Sequence, residues 1–275
     1  MKQLSSLLKI SVSAIFLFFS LTASAGDLYR PSAGAGEAGT GYVCIMKKGF
    51  WSSFQNQASL ADNGSLSFGF NYENRFGISE LGTRTAGITI PAGKSSIGAV
   101  YSHFGYAGFK RDMTGLACGL RLSDKINAGV QVDYFMEKTP GEDYNNQSVT
   151  FETGLILMPA ENTRIGIHIF NPVPNSIRKS YLPSTLRIGV GTDLNKLLFA
   201  GVEAEMSSGS NLTIRTGFEY EAAKNFWLRG GFSTENSSFS FGLGYIVKTV
   251  RIDLGFRTHE QLGVTSSVSL IFNIP

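Results

Sequence analysis

The chain has 275 residues, with 32 glycines, 12% aromatic and only 16% charged residues, and a formal net charge of +3 that falls to +1 without Lys2 and Lys9 of its leader. So small a charge gives no electrostatic reason to expect nucleic acid. Past the leader, no run reaches the roughly 18 apolar residues that a membrane-crossing helix needs.

The chain opens with Lys2 and Lys9, an apolar run over 10–21, and Ala23-Ser24-Ala25. That order predicts a secretory signal peptide over 1–25, cut before Gly26. Residues 26–64 follow as an N-terminal plug segment. Its glycine-rich part, 34–41, follows no strand and opens no βαβ helix, so it predicts close backbone approach rather than a phosphate loop. Residues 49–61 predict one short amphipathic helix with Trp51 and Phe54 on one face, packed as part of the plug.

From residue 65 to 275 the pattern is period-two alternation, the mark of strands with two different faces. Fourteen strands are predicted, near 65–73, 82–90, 95–104, 114–121, 126–137, 147–158, 163–170, 185–192, 197–205, 211–220, 226–233, 239–246, 249–257 and 265–273. Most have the length of a tilted strand crossing a bilayer, about 9–11 residues. Short connections (91–94, 123–125, 159–162, 193–196, 221–225, 247–249) alternate with mostly longer ones (74–81, 105–113, 138–146, 171–184, 206–210, 234–238, 258–264). Outer-membrane barrels alternate short periplasmic turns with longer outer loops, and an even strand number puts both termini on the periplasmic side.

One strand parity carries sets such as Leu66/Phe68/Phe70/Tyr72, Leu186/Ile188/Val190 and Ile252/Leu254/Phe256, without charge. The other carries glycines and at least fifteen charges of both signs, mostly arginine with acids. Forked arginine donors pairing with carboxylates suit a confined lumen, so the aromatic face is predicted to meet lipid and the ionic face to point inward. Glu203, Glu205, Arg215, Glu219, Arg229, Arg251, Asp253 and Arg257 are predicted to form an ionic cluster anchoring the plug. In the longest loop, 171–184, three prolines stiffen a stretch in which Ile177, Tyr181 and Leu182 are apolar and Arg178 and Lys179 basic. Those five residues are predicted either as a contact site for a partner or as part of a lid over the mouth.

No nucleophile motif such as G-x-S-x-G accompanies His103, His168 and His259, and no spacing suits a metal. The chain is therefore read as no enzyme, with no cofactor. A Cys44–Cys118 bridge is disfavoured, because the pair would have to meet through a barrel wall.

SAGAGEAGTGYVCIMKKGFWSSFQNQASLA (32–61) resembles the N-terminal motif of PorV/PorQ-type proteins, a Bacteroidota branch of the FadL-like outer-membrane barrels. So do YENRFG (72–77), YSHFGYAGFKRDMTGLACGLRLSDKINAGVQVDYF (101–135), IGIHIFNP (165–172) and LRGGFSTENSSFSFGLGY (228–245). Lys47-Lys48 stands where that family has an acidic pair. The resemblance implies an all-β, fourteen-stranded transmembrane barrel in outer-membrane lipid, its N-terminal segment tucked into the lumen. It also implies a binding or assembly role towards envelope or secreted proteins. The alternative, implied by FadL-like barrels, is transport of a small or hydrophobic ligand. Fourteen strands fall between the filled barrels of about eight and the open porins of 16–18, so strand number does not decide. The ionic wall favours assembly.

Overall fold

The structure is a computed structural model that describes residues 34–106, 108–139, 146–173, 176–177 and 180–274. The expected signal peptide and its cleavage site lie outside these residues. Fourteen antiparallel strands close into a barrel. They are β1 (Leu66–Asn74), β2 (Gly82–Ala92), β3 (Ser95–Tyr106), β4 (Phe109–Ser123), β5 (Ile126–Lys138), β6 (Asn146–Ala160) and β7 (Thr163–Phe170), then β10 (Thr185–Asn195), β11 (Leu198–Ser207), β12 (Thr213–Ala223), β13 (Phe226–Ser233), β14 (Ser238–Val247), β15 (Val250–His259) and β16 (Gly263–Ile274). Each pairs with its neighbours in the chain, β7 pairs with β10, and β1 closes on β16 from Leu66↔Ile274 to Asn74↔Ser266. Closure removes the free edges that a sheet of this size would otherwise expose. The two-residue strands β8 (Ser176–Ile177) and β9 (Ser180–Tyr181) pair as a hairpin inside the connection from β7 to β10.

At one end every connection is two residues long: 93–94, 124–125, 161–162, 196–197, 224–225 and 248–249. Gly93, Asn225 and Lys248 hold the positive φ such tight turns need. At the other end the lengths vary. The connection between β3 and β4 is only 107–108, not the loop over 105–113 that the polar run Lys110-Arg111-Asp112 suggests. Those residues extend two paired strands, with Gly105↔Lys110, Phe104↔Arg111 and His103↔Asp112 in register.

The two faces divide as the alternation predicts. Phe70, Leu116 and Phe241 point outward and are 54%, 64% and 58% exposed, while Arg187, Asp133 and Glu203 on the opposite parity are at most 1% exposed. An apolar outside around a polar, buried inside is the inverse of a soluble domain. Residues 34–63 run through the lumen. They form a short helix, α1 (Ala35–Gly39), against β13–β16, and two 3-10 turns, Ser52–Phe54 and Gln57–Asp62. One helix over 49–61 does not form. Asn56 breaks it with an extended backbone (φ −154°, ψ 107°) and accepts the Ala58 N–H on its side chain.

Candidate functional site

The site is the lumen: the inner wall and the segment threaded through it. The wall's glycines explain how the two fit. A Cβ added at Gly217 would lie 2.2 Å from the Thr40 carbonyl oxygen, at Gly129 2.3 Å from Gln57, at Gly166 2.5 Å from the Ile45 oxygen, and at Gly242 2.8 Å from Gly39. Backbone of the segment thus rests on backbone of the wall, and the inward glycines trace its path. Asn56 then fastens it, donating to the Ile45 carbonyl at 2.7 Å and to the Ile167 carbonyl of β7 at 3.2 Å.

Two ionic groups hold the β10–β15 side. In the first, Arg187 Nε donates to Glu203 at 2.6 Å, and the same guanidinium reaches Gln55 Oε1 at 2.8 Å and the Tyr42 carbonyl at 3.1 Å. Glu203 in turn accepts the Cys44 N–H at 3.2 Å. Arg215 pairs with Glu205 at 2.8 Å and with Glu235 at 3.4 Å. In the second group, Glu219 meets Arg229 at 2.5 Å, Lys47 at 3.2 Å and Arg251 at 3.6 Å. Asp253 meets Arg229 at 2.8 Å and Arg251 at 2.9 Å. Seven of the eight cluster residues read from the sequence fall in these two groups. The eighth, Arg257, lies instead 5.3 Å over the Tyr42 ring, whose hydroxyl donates to Glu73 at 2.7 Å. Arg187, Lys47 and Gln55 belong to the arrangement although the sequence does not assign them to the cluster. Arg187 shares the inward parity of the others, but the partners from the segment carry no periodic signal.

A third polar group adjoins the first, since His168 of β7 stands opposite Arg187 of β10 in register. Glu152 accepts from Gln57 at 3.0 Å and from Gln131 at 3.2 Å, and His168 Nε2 lies 2.7 Å from it. His168 is thus held in a structural network. His103 Nδ1 sits 2.8 Å from Asp112, and His259 accepts the N–H of Gln261.

An apolar lane also lines the lumen. Phe50, Trp51 and Phe54 of the segment join Val100, Met113, Phe135 and Phe170 of the wall and Leu182 of the long connection in one buried cluster. Phe50 and Trp51 meet edge to face at 4.8 Å, and Phe135 and Phe170 at 6.4 Å. Leu182, read from the sequence as part of an outer contact or of a lid, is 2% exposed and turned inward, its carbonyl accepting from Asn171 at 2.9 Å. Burying a leucine removes its apolar surface from water, which is why the connection folds in here. Of the other four contact residues, Ile177 and Tyr181 contribute backbone to the hairpin, and Arg178 and Lys179 lie outside the described residues. At the opposite end a cavity of about 570 Å³ opens among Phe199, Trp227, Glu219, Glu221, Asp193 and Lys196.

Both cysteines are free, Cys44 within the lumen and Cys118 on the outward face. Burial pushes the Cys44 thiol up to about 12. Only thiolate reacts with a maleimide, so a water-soluble maleimide is expected to leave Cys44 unmodified at neutral pH in the folded barrel and to label it once the barrel is unfolded. Labelling at the unfolded rate would contradict the seated segment.

No protein-family model matches the chain, and no curated protein is similar to it in sequence. Solved structures are similar in fold. The toluene transporter TbuX of Ralstonia pickettii matches with a TM-score of 0.67 at 14% identity, over 87% of this chain and 97% of that one. The toluene transporter TodX of Pseudomonas putida matches with a TM-score of 0.69 at 10% identity, over 88% and 97%. A FadL homologue of Pseudomonas aeruginosa matches with a TM-score of 0.63 at 12% identity, over 88% and 97%. The chain therefore has the closed, fourteen-stranded barrel fold of FadL-type outer-membrane proteins.

Proposed function

We propose that the chain is an integral outer-membrane barrel that passes a small hydrophobic molecule through its lumen. The observation that carries this reading is the apolar lane, which links Leu182 of the long connection to Phe50, Trp51 and Phe54 of the threaded segment. Residues 26–64 act as the plug, after a signal peptide over 1–25. The end at which every connection is two residues long faces the periplasm, and both termini lie there. The shared fold with two toluene transporters supports passage over catalysis. It also supports passage over the PorV/PorQ-like assembly role, which rests on the sequence resemblance.

The assembly reading retains one observation of its own: the lumen is filled, as suits a barrel that holds a partner rather than passing cargo. The two readings diverge at Phe170. Phe170→Gln leaves an amide in the lane, where an unpaired polar group costs about 1–3 kcal/mol. Under passage, uptake of a monoaromatic hydrocarbon by cells expressing the barrel falls about tenfold or more, with heat-modifiability on gels unchanged. Wild-type cells taking up no more hydrocarbon than cells without the barrel, together with a protein that co-purifies with it, would favour assembly instead.

A further inference from the structure

The outward parity of the strands is apolar almost throughout, yet among the described residues it carries five charged or imidazole side chains: Arg84, His103, Lys110, Asp112 and Lys138. All five lie on four adjacent strands, β2 to β5, at the end away from the turns 93–94 and 124–125. The registers place them in two rows. Arg84↔His103 and His103↔Asp112 form one row, and Lys110↔Lys138 sit directly opposite each other in the next row out.

Their partners are unequal. Asp112 is engaged by the Tyr101 hydroxyl at 2.5 Å and by His103 at 2.8 Å. Arg84 lies 5.8 Å over the Tyr72 ring. Arg84, Lys110 and Lys138 are exposed, and none has an acidic partner among the described residues. Like charges directly opposite on neighbouring strands are destabilising, so an anion between the ends of Lys110 and Lys138 would relieve their repulsion. The height of the patch is set by Tyr101 and Tyr134, which lie on the same face one row nearer the barrel's middle and are exposed. Exposed tyrosines on a barrel's outer face mark the boundary between hydrocarbon and headgroups. The three cations stand at and beyond that boundary, at headgroup level.

We infer that Arg84, Lys110 and Lys138 bind the phosphorylated headgroup of a lipid in the leaflet at the loop end. Charge and position together select this ligand. Three basic ends on three strands, two of them opposed, match an anion with more than one phosphate. Their place on the outward wall admits a molecule whose tails lie along Leu116, Val130 and Val132 below. The inference rests on the outward face meeting lipid, and it is independent of what crosses the lumen.

The test uses the full barrel in nanodiscs of phosphatidylcholine, with lipid A as the added probe and native mass spectrometry as the readout. One basic residue near an anionic membrane surface is worth about fivefold in binding, so Arg84→Gln/Lys110→Gln/Lys138→Gln is expected to lose on the order of a hundredfold in lipid A affinity. Lys110→Arg/Lys138→Arg should bind as the wild type does. Should the triple variant fail to assemble, Lys138→Gln alone reads the same contact as a loss of about fivefold. Equal retention of lipid A by the triple variant, or by Lys138→Gln where that replaces it, would overturn the inference. Inorganic phosphate bound as tightly as lipid A would also overturn it, since the site would then be a free-anion site. A wild-type barrel that does not enter the nanodiscs at all would sink the membrane reading itself, a failure distinct from loss of the lipid alone.

Discussion

Arg229→Ala is expected to destabilise the barrel by about 3–5 kcal/mol, the cost of removing one partner from a buried ionic group. For a chain of this size that corresponds to a fall of roughly 10 °C in the unfolding midpoint. Arg229 has a side-chain exposure of 0% and bridges Glu219 at 2.5 Å and Asp253 at 2.8 Å. Its removal leaves Arg251 as the one arginine contacting both carboxylates. It also removes the group beside which Gly244 has no room for a side chain, since a Cβ there would lie 2.7 Å from the guanidinium and 2.5 Å from Asp253. Alanine is too small to refill that space. Glu219→Gln alone unseats Lys47 as well, because the same carboxylate holds the threaded segment at 3.2 Å. The double variant Arg229→Ala/Glu219→Gln should therefore cost clearly less than the two single costs added. Strict additivity in thermal or denaturant unfolding would show that the two do not share one network.

That network was half legible in the sequence. Period two fixes which side chains share a face, so Glu203, Arg215, Glu219, Arg229 and Asp253 could be gathered on the inner wall from spacing alone. Cross-strand pairs follow from register, and the pair Glu219↔Arg229 faces across the tight turn at 224–225. Lys47 was not legible in this way, because its partner lies far along the chain and the segment around it has no period to read. The same holds for Asn56, whose contacts with β6 and β7 decide the shape of residues 49–61 against a regular helix. The apolar lane escaped for a different reason. Val100, Met113, Phe135 and Phe170 occupy inward positions among polar neighbours, and each alone looks like an exception to the pattern. Only closure of β3 to β7 around the segment shows that the exceptions touch. Lys110 and Asp112 escaped because a polar run after glycine reads as a loop, whereas their backbones continue a paired strand.

The largest effect on the outward face is expected at Leu254. This residue lies midway along β15, is 38% exposed, and is flanked on the same face by Ile252 and Phe256, also exposed. No acid or polar group faces outward beside it, since its cross-strand partners are Leu243 and Val268. Arginine on the lipid face at a barrel's midplane costs about 2–4 kcal/mol, which falls towards 0–1 near the interfaces. Leu254→Arg should therefore reduce the amount of heat-modifiable barrel recovered from the membrane fraction. Val264→Arg, on the same face at the loop end of β16, should reduce it much less. A core position in a soluble domain would show no such dependence on height. Gly217→Arg fails by another route, because its side chain would strike the Thr40 carbonyl and displace the segment while leaving the lipid face unchanged. It should insert and become open to Cys44 labelling, whereas Leu254→Arg should insert poorly with Cys44 still protected in whatever fraction folds. Normal membrane levels of a heat-modifiable Leu254→Arg barrel would mean that this face does not meet lipid.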